Sequence, residues 1–398
     1  MVTSGARGGG DDGGPAAGRV LTLLHRSGPL TRAAITAELG LAASAVGNAL
    51  SDLAALDLVR VGEPVRGPSG TRGRPSPVVE VDPGGPVAVA VQLSPDRLTV
   101  GLAGLDRRIG HVRELALSEA DTAPGALIPV LAGALSDAAL QTDRRCVGAC
   151  IAMPGFIRET DGLVRSSLHL GWDEVPLARR LAGAMPGGLP VAVGRASTLA
   201  ALAEFRYGAG RGATSMLALN SERVGVGGAF IEAGVPLTGA GYALEAGHII
   251  VEPGGLRCPC GARGCLEMHA DARALARAAG RRSDPGGAAA GLLAGAAAGD
   301  RAAREAVRAT AGHLVTGLTS LVNTLAPERV VLLGFMAGLY RAAEDFVRDG
   351  LMASSVVART GPLDIVTGDL RDAVLLGAAE RAFAPLLRDP RTALPTEK

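Results

Sequence analysis

Three of the five cysteines, Cys258, Cys260 and Cys265, fall within one eight-residue stretch, and His248 lies ten positions before the first of them. Adjacent-but-one cysteines bridge poorly, because their sulfurs cannot reach disulfide geometry, and three is an odd count. Disulfide bonding is the main alternative to a metal. Three thiolates and one imidazole make a closed Cys₃His set, the kind that holds a tetrahedral structural Zn2+. The cluster says that a loop is stapled. What the loop serves has to come from the rest of the chain.

At 398 residues the chain exceeds one ordinary hydrophobic core, so two or three folding units are expected. The only lysine is Lys398, which excludes a catalytic or phosphate-binding lysine anywhere else. The net charge of +1 excludes a molecule that binds polyanions over its whole surface; a nucleic-acid site must be local. No apolar run reaches transmembrane length and no signal peptide is present, so no membrane partner is expected. With a cluster of free thiols, this points to the cytoplasm. Cys146 and Cys150 read as buried core thiols in a strand.

Residues 1–17 are Gly-rich and unpatterned, and read as a disordered tail. From 18 to 82 the pattern is a winged helix-turn-helix. Val20, Leu21, Leu23 and Leu24 suit a first helix. Thr31 can cap a second, with Leu30 as a staple before it. Gly40 marks the turn. Val46, Leu50 and Leu53 recur at helical spacing in a third helix, placed to enter a major groove. Two short strands, 58–61 and 77–81, flank a loop with Arg66, Arg72 and Arg74, an arginine presenter suited to phosphates or a minor groove. On the third helix Ser44, Asn48 and Ser51 are the side chains able to reach base edges, among alanines and a glycine that cannot. The partner expected is double-stranded operator DNA. The competing reading is a small helical protein-interaction domain.

A linker at Asp82-Pro83-Gly84-Gly85-Pro86 opens a second region, 83–398. Strands are expected near 87–91, 98–102, 109–112, 147–153, 191–193, 215–219, 227–231, 330–333 and 363–366. Helices are expected near 123–139, 199–207, 270–279, 301–325 and 339–350. Alternating strands and helices, with the β-rich opening repeated, argue for an α/β architecture in two lobes. His25, His111, His269 and His313 read as ordinary surface or packing residues.

These residues resemble the ROK family of repressors and sugar kinases, and most closely its winged-helix repressors. Glu245-x-Gly247-His248 followed by Cys258, Cys260, Cys265 and Glu267 is similar to the family's zinc signature in residue type and spacing. Val147–Gly155, Leu170-Gly171-Trp172 and Asp372-Ala373 with Gly377 are weaker echoes. The resemblance implies a two-lobed actin-like fold of the hexokinase type, a sugar in the cleft, and zinc held by His248, Cys258, Cys260 and Cys265. It also implies that Glu245, His248 and Glu267 face the sugar, and that His169 stands where the family has an asparagine.

Family kinases use the aspartate of an Asn-Asp pair as general base. Alignment back from Glu204 puts Arg195 and Ala196 there. The phosphate turns are altered too, to Leu93-Ser94-Pro95-Asp96-Arg97 and Arg223-Val224-Gly225, and the adenosine-side pair to Leu333-Gly334-Phe335. The expectation is therefore no enzyme. Arg195 can bind an anionic effector such as a sugar phosphate, or pair with a carboxylate such as Glu245 and close the site. The favoured function is a transcriptional regulator responding to a sugar, acting as a homodimer or homotetramer because palindromic operators need two heads. A sugar kinase with a DNA-binding appendage and a regulator answering to a protein partner are the alternatives.

Overall fold

The computed structural model describes residues 14–62, 77–222, 224–242, 244–281 and 285–394. The chain opens with α1 (Ala16–Ser27), β1 (Leu30–Thr31), α2 (Arg32–Leu39), α3 (Ala43–Ala55), β2 (Val59–Val61) and β3 (Val78–Val81). Thr31 caps α2, its hydroxyl accepting from the Ala34 amide at 3.2 Å. Leu30 packs on the apolar cluster that includes Ile35 of α2. It opens β1 and pairs with Val79 on β3, the centre strand of a sheet ordered β1-β3-β2. Helices α2 and α3 meet at 116°, within the range of helix-turn-helix pairs. The stripe Val46, Ala49, Leu50 and Leu53 is buried, which turns Ser44, Asn48 and Ser51 to solvent. Arg66, Arg72 and Arg74 lie outside the described residues.

Two larger sheets follow. The first is built from β4 (Val87–Ser94), β5 (Arg97–Gly104), β6 (Ile109–Ala116), β7 (Cys146–Met153) and β11 (Val191–Arg195), ordered β11-β7-β4-β5-β6. The second is built from β12 (Ser215–Ser221), β13 (Gly227–Glu232), β14 (Val235–Pro236), β15 (Arg329–Gly334) and β16 (Asp364–Thr367), ordered β14-β13-β12-β15-β16. Each begins as a three-stranded antiparallel meander. Two more strands then add in parallel on the far side of the first. Parallel addition requires crossovers, and α4 (Pro124–Leu140) and α10 (Arg301–Leu325) are the long ones. The central strands are covered on both faces, so Val87 to Val91 and Met216 to Leu219 are apolar throughout and buried. Cys150 is fully buried, and burial pushes its thiol up to about 12, as expected of a core residue.

A small sheet is inserted between β7 and β11. Its strands are β8 (Phe156–Arg158), β9 (Leu163–Ser167) and β10 (Trp172–Pro176), followed by α5 (Leu177–Arg180). These short strands were not expected. They are only three to five residues long, too short for an alternating pattern to register. The helix expected at 270–279 is α8 (Ala272–Ala278), capped by extended Asp271 and preceded by a separate short helix, α7 (Leu266–Ala270). After α9 (Pro285–Ala297), the helix expected at 339–350 is two, α11 (Phe335–Ala342) and α12 (Glu344–Ser354), broken at Ala343. The short α13 (Val356–Thr360), then α14 (Ala373–Arg388) and α15 (Pro390–Ala393), complete the chain.

Helix α6 (Ala196–Tyr207) and α14 lie against each other and carry much of the first core. That core continues into the N-terminal unit: Val20 and Leu24 of α1 belong to the same apolar cluster as Ala88, Cys150, Phe383 and Leu387. Among the described residues no single helix is long and apolar enough to cross a membrane; α2 and α3 pass that test only as a sharply bent pair.

Candidate functional site

A cavity of about 350 Å³ opens between the two large sheets. The first sheet contributes the β4–β5 turn with Asp96, the end of β7 at Pro154, and Arg195 with Ser197. The second contributes Asn220 to Glu222 and Val224 to Gly227, while Glu245, His248 and Glu267 come from the stapled loop. His169, Arg195, Glu245, His248 and Glu267 are thus brought to one cavity from four separate stretches of chain.

The four expected metal ligands also converge. His248 Nδ1 stands 3.6 Å from Cys258 Sγ, and Cys260 Sγ stands 3.6 Å from Cys265 Sγ. All four ligand atoms lie within 4.8 Å of one another. A tetrahedral ion with bonds of about 2.3 Å to sulfur spaces its sulfurs about 3.8 Å apart, so this arrangement fits a metal ion and is too open for a disulfide. Backbone pairing holds the loop in shape, with Cys258 N donating to Ala262 O at 2.9 Å and Cys265 bridging to Ile250.

The cluster is joined to the cavity wall. Glu267 sits in the first turn of α7, where Cys258 Sγ donates to its Oε1 at 3.1 Å and His169 Nε2 lies 3.5 Å from its Oε2. Burial pushes the Glu267 carboxyl up, but these hydrogen bonds and the charges of His169 and His248 outweigh it and hold the carboxyl below its ordinary value. Glu245 goes the other way: burial raises it, the Arg195 charge opposes, and Glu267 adds to the rise.

Arg195 is buried at the entrance to α6. Its guanidinium ion-pairs with Glu245 at 2.9 Å and donates to the Leu244 carbonyl at 2.9 Å and the Tyr242 carbonyl at 3.3 Å. Of the two expectations for this residue, the geometry matches pairing with Glu245, which ties the first sheet to the stapled loop.

The Val224-Gly225 turn is drawn in tightly. Gly225 has φ +79°, and a Cβ there would stand 2.7 Å from His169 Nε2. Its amide donates to Asp271 Oδ2 at 3.1 Å, while Asp271 Oδ1 caps α8 through the Ala274 amide at 2.9 Å. Asp271 is fully buried and was missed in the sequence. The signal was available: an aspartate ahead of an Ala-rich helical run is an N-cap. Also missed were Ser197, Asn220 and Glu222, whose placement depends on strand register rather than on any motif.

Twin sheets of the same strand order, closing on a cleft backed by a loop whose His248, Cys258, Cys260 and Cys265 could hold a metal ion, define a two-lobed actin-like α/β protein. The chain belongs to the ROK family, whose sequence model matches residues 88–379. A glucokinase of Halalkalibacterium halodurans is 34% identical over 218 residues, covering 51% of this chain and 64% of that protein. A putative xylose repressor of Caldicellulosiruptor sp. (strain Rt8B.4) is 29% identical over 220 residues, covering 51% of this chain and 54% of that protein. The chain thus spans between half and two thirds of the length of these relatives. Among solved structures, a ROK family transcriptional regulator, described as a homolog of the E. coli MLC protein, superposes with a TM-score of 0.75 at 23% identity. That match covers 94% of this chain and 96% of that one.

The expectation of no enzyme is corrected by these relatives. Chains named as kinases share 34% and 30% identity with this one, and nothing in the fold shows that phosphoryl transfer is lost. The physical reason is in the cavity. Ala196 removes one candidate base, but Asp96, Glu222, Glu245 and Glu267 all line the same space, and a carboxyl raised as Glu245 is can accept a proton.

Proposed function

We propose that this protein is a DNA-binding transcriptional regulator whose actin-like region, 83–398, answers to a sugar, and whose head, 18–82, binds operator DNA. The observation that carries it is the union of two units. A helix-turn-helix with an exposed second helix is built into the same core as a sugar-kinase-type cleft. The repressor-named relative and the regulator structure support the same reading.

In this reading Glu245, His248 and Glu267 accept and donate hydrogen bonds to vicinal hydroxyls, with His169 beside them. The effector is a neutral sugar, since the Arg195 charge is already committed to Glu245. The ion at His248, Cys258, Cys260 and Cys265 is Zn2+, which closes the loop and fixes Glu267. Ser44, Asn48 and Ser51 face the groove, and Arg66, Arg72 and Arg74 the phosphates. Two heads on a symmetric homodimer or homotetramer match a palindromic operator.

Helix α6 supplies a path for the response. It starts at Arg195 and Ser197 in the cleft and ends at Arg206 and Tyr207, which contact Glu380 and α1 at the base of the head. Closing the lobes on a sugar moves the start of that helix, and so shifts head spacing and DNA affinity.

The test has two arms. Selection of bound fragments from genomic DNA should yield a palindromic site, and Arg74→Ala should weaken binding and lower the salt slope by about one unit. A panel of pentoses and hexoses should then raise the melting temperature for one sugar and shift operator affinity with it. No selected site sinks the head assignment. No sugar response, with DNA binding intact, moves the trigger to a protein partner. Phosphorylation of a sugar remains a second reading, favoured by the carboxylates of the cleft. A coupled ATP assay over the same panel decides it, with turnover lost in a Glu245→Gln variant as the positive result.

A further inference from the structure

Away from the cleft, a second set of ligand-type side chains converges on one point. Glu252 lies in the loop between His248 and Cys258, His269 comes from α7, and His313 from the middle of α10. His269 Nδ1 and His313 Nε2 each stand 3.0 Å from the same oxygen, Glu252 Oε2. The two imidazole rings are 4.7 Å apart, and the three ligand atoms fall within 4.8 Å of one another.

The hydrogen bonding of His313 limits what can join these groups. Its Nδ1 faces the Ala309 carbonyl at 3.2 Å, one turn back on α10. A carbonyl only accepts, so Nδ1 carries the hydrogen, and the neutral ring presents a lone pair at Nε2. That lone pair points at a carboxylate oxygen. Two acceptor atoms at 3.0 Å need a cation between them, either a proton or a metal ion.

We propose that Glu252, His269 and His313 form a second metal site, separate from the Cys₃His cluster, for a borderline divalent ion such as Zn2+, Co2+ or Ni2+. Two imidazoles and a carboxylate suit these ions and disfavour Mg2+ and Ca2+. Ligand bonds of about 2.1 Å at right angles place neighbouring donors about 3.0 Å apart, the spacing of each histidine nitrogen from Glu252 Oε2. A ligating histidine usually donates its other N–H to a carbonyl or carboxylate, as His313 does to Ala309. The His269 ring is buried and set against Gly255, where a Cβ would stand 2.9 Å from Nε2. Glu252 is half exposed and His313 about one third exposed, so an ion would keep open positions towards solvent. Such an ion would tie the start of the stapled loop to α7 and α10, bracing it from behind.

Metal analysis and cobalt titration of the full-length protein test the proposal. The wild type should take up two equivalents of Co2+, the first with thiolate charge-transfer absorption and the second, weaker, without it. Both His313→Ala and Glu252→Gln should lose the second equivalent and keep the first with its thiolate band. His313→Ala leaves a good helix former on an exposed face, and Glu252→Gln keeps the shape of its side chain, so two independent variants carry the result. One equivalent in the wild type would overturn the proposal and assign the bridging cation as a proton. A second equivalent that survives both variants would overturn it too.

Discussion

His25 and Glu380, 355 residues apart in the chain, meet in a buried ion pair that fastens the N-terminal head to α14. The other ring nitrogen of His25 lies 2.6 Å from the Leu105 carbonyl, so the ring faces an acceptor on each side and donates at both. Arg206, at the end of α6, donates to the second oxygen of Glu380 at 3.0 Å. Tyr207 packs edge-on against His25, and the Arg107 guanidinium lies 4.5 Å over the Tyr207 ring while donating to the Arg26 carbonyl. One buried carboxylate thus receives a group from the head and a group from the helix that begins in the cleft.

Removing one side of a buried pair leaves the other charge stranded. His25→Ala should therefore cost about 3–5 kcal/mol in urea unfolding. It should also raise the protease sensitivity of the head relative to the two lobes. A variant that unfolds as the wild type does would show that the pair does not fasten the head.

The same pair sets an acid limit. Burial alone would raise the Glu380 carboxyl, but His25 and Arg206 outweigh it and hold it down to about 2. A depressed carboxyl stabilises fully above its unfolded value of about 4.3, and the contribution is lost as pH falls towards 2. Denaturation measured from pH 5 down to 2 should show a loss in the wild type that Glu380→Gln lacks.

Gly18 lets α1 lie directly on the end of α14. A Cβ at this position would stand 2.2 Å from the Arg388 carbonyl oxygen, and backbone cannot rotate out of the way. Gly18→Ala should force the helices apart at about 1–3 kcal/mol, seen as a lower melting temperature. Sugar binding should survive, because the cleft is remote, while its effect on DNA affinity should shrink.

Gly225 is the sensitive point of the cleft. Gly225→Ala meets both a left-handed backbone and the His169 ring, so a cost of about 1–2 kcal/mol is expected from the backbone alone. The sharper readout is loss of the thermal shift produced by the cognate sugar. A retained shift would remove the Val224-Gly225 turn from the effector site.

Chelation should lower the melting temperature of the wild type, and Cys265→Ser should abolish metal at the Cys₃His cluster together with the sugar response. Glu267 links the two losses, since its carboxyl lies 3.1 Å from the Cys258 sulfur and lines the cavity. Metal content and thermal shift measured on the same samples check both.

Much of this site could be read in order along the chain. The ligand spacing of His248, Cys258, Cys260 and Cys265 is local, so chemistry alone brought out the loop. The caps at Thr31 and the apolar period of α3 are local too, and the head follows from them. Strands β8–β10 are too short to leave a periodic mark, and the break at Ala343 is hidden inside a helix-forming stretch.

By itself the sequence determined the kinds of side chain present: a metal-ligating set, carboxylates for a cleft, and an α/β alternation with a helical head. Only the tertiary structure decided which of them act together. Arg195 pairs with Glu245, His25 with Glu380, and both His269 and His313 with Glu252, each across long stretches of chain or between separate elements. The physical reason is that a charge in water has no need of a partner, while a charge brought into a packed interior must find one. Which partner it finds is set by how the sheets and helices stack, and no spacing along the chain encodes that.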